Sequence, residues 1–164
     1  MKLHLHSRLY YLIWKLWPKC ECIVDGRQII YAVLPWWLLV CWETKSKSFF
    51  VKGGMCVVHR FSGTQMIFVS RPETNSSKLR YVLLHEHLES SYFLYGWKKE
   101  DMKELQRAII SLGSEVEGVL SNAMEQSRAH PHYLALTIEL ALAKKEMSPN
   151  DFSEYLNYAL KNCL

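Results

Sequence analysis

The residues with the most usable chemistry lie together in Leu83-Leu84-His85-Glu86-His87-Leu88-Glu89. A histidine and a carboxylate four residues apart share one face of a helix, and both side chains are Zn²⁺ ligands. His85 and Glu89 therefore form either half of a metal site or a structural pair on a partly buried face. His87 cannot join His85 on the same ion, because it lies about 200° away around a helix that turns about 100° per residue. A third ligand has to come from elsewhere, and His59, Glu100, Glu104 and the pair His130 and His132 are the candidates.

Other motifs are incomplete. The five cysteines, Cys20, Cys22, Cys41, Cys56 and Cys163, are an odd number without Cys-x-x-C or finger-like spacing, which argues for reduced thiols and a cytoplasmic protein. Cys20 and Cys22 could hold metal or respond to redox state. Cys56 and His59, three apart on a strand, would face opposite ways. There is no Gly-rich phosphate loop and no Gly-x-Ser-x-Gly elbow.

Charge is divided unevenly. Residues 1–71 hold ten Lys/Arg against three acids, whereas the remaining 93 residues hold ten bases and thirteen acids. Twelve of the 21 aromatic residues also fall in the first part, and basic side chains interleaved with aromatic ones suit a nucleic acid or an acidic protein. Lys45, Lys47, Lys52, Arg60 and Arg71 are the candidate contact residues. The same counts also arise from an ordinary half-buried sheet with its bases in solvent.

The elements that would position these groups are legible from turn signals and periodicity. Cys20 to Val24 and Gln28 to Leu34 flank Asp25-Gly26, a hairpin signature. Trp36 to Trp42, Ser48 to Val51, Met55 to Phe61 and Gln65 to Ser70 follow, giving an antiparallel sheet of about five or six strands. After Pro72 the spacing becomes helical: Tyr81, Leu84, His85, Leu88, Tyr92 and Tyr95 predict a helix that Gly96 stops. Met102, Leu105, Ile109, Leu112, Val116 and Val119 form a seam that Gly113 divides, with Ser114 to Glu117 as a capping box. Helices from about Pro131 to Lys145 and from Ser148 onward complete four or five. The last one bears an apolar stripe of Phe152, Tyr155, Leu156, Ala159 and Leu160, which suits packing on the seam or on a second copy.

The expectation is α+β in one domain, with residues 1–71 mainly β and 72–164 mainly α. No transmembrane segment is expected: the 14-residue apolar run from Ile29 to Trp42 is too short to span a bilayer, which takes about 20 residues. Lys15 and Trp17-Pro18-Lys19 also exclude a signal peptide over Leu9 to Trp17. An interfacial anchor made of Trp36, Trp37 and Trp42 is a further possibility.

The segment around His85 resembles the active-site helix of zincin metallopeptidases, whose signature is His-Glu-x-x-His on a helix that follows strands. The order of hairpin, capped linker and Leu-Leu-His-Glu is similar to small zincin-like proteins of phages and mobile elements. The resemblance covers residues 55–97. It implies that His85 is a first metal ligand and Glu86 the base that polarises a metal-bound water. Glu89 stands where the family has its second histidine, and this departure bears on catalysis first.

Two functions follow. One is a non-catalytic binding or regulatory protein, needing no cofactor, that acts on a macromolecular partner through the basic aromatic part. The other is a Zn²⁺-dependent hydrolase using His85, Glu86 and Glu89.

Overall fold

The protein is described from a computed structural model, which covers residues 2–42, 48–50, 54–59, 61–71, 74, 77–126 and 130–163. Two compact units make up the chain, Met1–Leu94 and Tyr95–Leu164. The composition changes at residue 71, but the packing division falls later because the first helix after the sheet packs on the sheet.

The first unit runs α1 (Lys2–Leu16), β1 (Cys20–Val24), β2 (Arg27–Leu34), a 3₁₀ turn (Trp36–Leu38), β3 (Val40–Trp42), β4 (Ser48–Phe50), β5 (Gly54–His59), β6 (Thr64–Ser70) and α2 (Leu79–Tyr95). Asp25 and Gly26 both take positive φ, 48° and 73°, as a two-residue turn matched to the right-handed twist of β1 and β2 requires. Asp tolerates this conformation better than most residues, and its carboxylate accepts a hydrogen bond from Arg27 Nη1 at 2.8 Å.

The strand order is β1-β2-β6-β5, while β3 and β4 form a separate two-stranded ribbon. β1/β2 and β5/β6 are antiparallel, but β2 and β6 run parallel with Tyr31 opposite Ile67. The α+β class is present, and the antiparallel sheet of five or six strands is replaced by a mixed sheet of four. Pro35 and the 3₁₀ turn after it lead the chain out of the sheet, so β6 rather than Trp36 to Trp42 pairs with the free side of β2.

Alternation along the strands gives the sheet two apolar faces. Ala32, Leu34, Met66 and Phe68 lie on one of them and form a core with Tyr10 of α1, with Trp14 and Trp17 packed against it. Tyr10 Oη donates to Leu38 O at 2.6 Å, and Trp17 Nε1 donates to Val33 O at 2.8 Å. Trp14 meets Phe68 edge-on with centroids 5.5 Å apart. These contacts fix how α1 is rotated about its axis. Register places Ile29, Tyr31, Ile67, Val69, Gly54 and Cys56 on the opposite face. There Gln65 Nε2 donates to Ser91 Oγ of α2 at 2.9 Å.

The second unit contains α3 (Lys99–Leu112), α4 (Ser114–Gln126), α5 (Pro131–Glu146) and α6 (Pro149–Cys163), which brings the described α-helices to six, one of them ahead of the sheet. Gly96 and Gly113 take φ of 67° and 87°, and α2 and α3 end there. Asp101 accepts a hydrogen bond from the Lys98 amide at 2.8 Å, and Ser148 accepts one from the Asp151 amide at 3.3 Å, capping α3 and α6. α5 meets α3, α4 and α6, and it is buried continuously from Leu134 to Leu140. Lys144 of α5 donates to Ser111 O at 2.9 Å and to Leu112 O at 2.7 Å, placing a cation on the negative end of α3.

The expected seam is only partly inward. Leu105, Leu112 and Val116 are buried, whereas Met102 and Val119 are exposed; Ala108 and Leu120 join the buried set. In α6, Tyr155 and Ala159 are buried and the Tyr155 hydroxyl donates to Glu139 of α5. Among the described residues, no helix is long and apolar enough to cross a membrane.

Candidate metal centre

α2 positions the candidate ligands. His85 is 7% exposed, and its Nε2 lies 3.1 Å from Glu89 Oε2, a contact made by the i,i+4 spacing on a helix. Glu86 projects toward the edge strand of the sheet. Gly54 of β5 is the residue it approaches: a Cβ built there would lie 3.1 Å from Glu86 Cγ and 2.7 Å from Val82 Cγ1. Ser90, one turn further along α2, donates to the Glu86 carbonyl at 2.6 Å.

Cys56 belongs to this surface although the sequence reading paired it only with His59. Its side chain hydrogen-bonds Ser90, and burial pushes the thiol up to about 12. The negative charges of Glu86 and Glu89 add to that shift, while the Ser90 bond opposes it. His59 pairs with Thr64 on the α1 side of the sheet, stacks on Tyr11 with centroids 4.0 Å apart and contacts Ser62 Oγ through Nδ1 at 2.8 Å. His87 is half-buried, and its pKa is lowered first by loss of solvent and then by the positive charge of Arg27.

The other candidate ligands lie in the second unit. Glu100 and Glu104 are on α3, and His130 caps α5 by accepting from the His132 amide at 3.3 Å. Within the first unit the arrangement thus offers one imidazole and one carboxylate on a single face, with a second carboxylate one residue round the helix. Two such donors suit Zn²⁺, and a catalytic zinc would take one further protein ligand beside an open position.

Of the five candidate contact residues, Lys45, Lys47, Lys52 and Arg60 lie outside the described residues. Arg71 is exposed and its carbonyl accepts from Thr74 Oγ1 at 2.7 Å. The Gly54, Cys56 and Ser90 side of the site was missed in the sequence. Gly53-Gly54 looks like a turn, but a glycine opening a strand also marks close approach of another element, and that was the available signal.

Comparison with protein-family models, with curated proteins and with solved structures finds no match for this chain.

Proposed function

We propose that the chain is a non-catalytic binding or regulatory protein whose contact surface lies on the first unit, with α2 as a degenerate zincin-like helix. The observation that carries this reading is the mutual pairing of His85 and Glu89. The candidate first ligand contacts a carboxylate where the resembled family would supply a second imidazole, and His59 is engaged with Ser62 and Tyr11. Binding surfaces require no strict constellation of this kind, and the first part of the chain carries the excess of positive charge that an acidic partner would meet.

The alternative is a Zn²⁺-dependent hydrolase, favoured by the placement of His85, Glu86 and Glu89 on adjoining positions of one helix beside an edge strand. In that case His85 and Glu89 would hold the metal, which polarises water, and Glu86 would take the proton.

Metal analysis of protein purified without added zinc decides between them. The expected result is less than stoichiometric zinc, no change with Glu89→Ala, and no hydrolysis that depends on Glu86. One equivalent of Zn²⁺ that is lost in His85→Ala, with peptide hydrolysis lost in Glu86→Gln while the metal is retained, would establish the hydrolase.

A further inference from the structure

α1 is apolar on two sides, and only one of them is used by the core. Tyr10, Trp14 and Trp17 face the sheet, and the two side-chain hydrogen bonds to Leu38 O and Val33 O prevent the helix from turning another side inward. Leu9, Leu12 and Leu16, spaced to fall within about 60° of one another, are left outside. They are 53%, 55% and 77% exposed, well beyond what a core stripe shows.

The charges beside this stripe share one sign. Residues 1–20 contain Lys2, Arg8, Lys15 and Lys19 and no Asp or Glu. Arg8 and Lys15 are exposed on one flank of the leucines. Arg8 extends over Phe61, itself 72% exposed, and Lys15 extends over Tyr11 with its ammonium 4.7 Å from the ring centre. The aliphatic stripe, basic flank and absence of acids complement a surface that is apolar within and anionic at its rim.

We infer that the outer face of α1 docks on an anionic lipid surface, Leu9, Leu12 and Leu16 entering the acyl boundary while Arg8 and Lys15 meet the headgroups. This names the partner class of the binding protein proposed above and rests on that reading. A helix lying in the interface needs a narrow apolar stripe with cations beside it, which is the pattern here, and it need not span the membrane. Single-stranded nucleic acid is a poorer fit for the stripe, because leucines offer no plane on which bases stack.

The test is sedimentation of the full chain with vesicles of phosphatidylcholine, with and without phosphatidylserine at about one lipid in three. Binding is expected only with phosphatidylserine and should fall as salt rises. Leu12→Glu with Leu16→Glu should weaken it by about tenfold or more, and Arg8→Glu with Lys15→Glu should do the same, since both contributions are required. Leu12→Gln with Leu16→Gln serves as the milder pair, and an unchanged thermal melt shows that each variant is folded. No sedimentation with phosphatidylserine vesicles at low salt overturns the inference, as does full binding by folded leucine variants. Self-association abolished by the leucine variants, in a chain that ignores vesicles, overturns it in favour of a second copy. Failure of the parent reading has a separate signature, stoichiometric zinc with Glu86-dependent hydrolysis, which the vesicle assay does not report.

Discussion

Glu86 leans on the edge strand at Gly54, so closely that a β-carbon on Gly54 would come within 3.1 Å of Glu86 Cγ and 3.3 Å of its Oε1. The separation of α2 from β5 is therefore set by the absence of a side chain. Gly54→Ala should force α2 outward, since Val82 Cγ1 would be only 2.7 Å away, and should cost about 1–3 kcal/mol in urea unfolding. Pairing it with Val82→Ala, which removes the closest obstacle, should recover part of that loss. Equal stability of Gly54→Ala and the parent would show that α2 has slack at this point.

His87 gives the fold a dependence on pH. Its pKa is lowered from 6.5 by burial and by the charge of Arg27, so near and just below pH 6.5 the unfolded chain binds more protons at this site than the folded one. Stability is then complete above pH 6.5 and declines as pH falls toward the depressed folded value. Replacing His87 by Gln should flatten the curve of unfolding free energy below pH 6.5, measured with a chelator present. A parent and variant with parallel curves would remove His87 from the account.

Cys56 should be chemically quiet. With the thiol pushed up to about 12, almost none is thiolate at neutral pH, and the thiolate is the reacting form. Alkylation of the native protein followed by peptide mapping should mark exposed Cys20 well before Cys56, and denaturant should erase the difference. Labelling of both at similar rates in the native state would contradict the raised thiol pKa of Cys56.

In the second unit, the bond from the Tyr155 hydroxyl to Glu139 is internal to the α5 and α6 pair, with the two residues 1% and 4% exposed. Tyr155→Phe leaves the carboxylate without that donor and should cost about 1–3 kcal/mol by thermal or denaturant unfolding. Leu156 is only half-buried, so Leu156→Ala should fall below the 2–5 kcal/mol typical of a fully buried leucine. If Leu156→Ala proves the more damaging of the two, the assignment of the inward face of α6 is wrong.

What could be seen in the sequence was local. Asp25-Gly26, Gly96 and Gly113 mark positive φ, and they end elements where the structure ends them. The contact of His85 with Glu89 follows from helical spacing alone. The parallel pairing of Tyr31 with Ile67 has no comparable local signal, because β3, β4 and β5 lie between the two strands in the chain. α1 was missed for another reason: tyrosines and tryptophans facing the sheet, with leucines facing out, leave no contrast between its sides. α5 is buried over consecutive residues and so has little amphipathic period, although its proline start was visible. At the candidate site the ligand types were evident, while the approach of Glu86 to Gly54 depended on tertiary packing.

The parallel seam between β2 and β6 joins two hairpins, and α2 comes after β6 in the chain. Every strand of the mixed sheet and both helices on its faces are therefore translated by residue 95. During synthesis the sheet unit can fold while the four-helix unit is still being made, and until β6 emerges one side of β2 offers an unsatisfied row of amides and carbonyls to neighbouring chains.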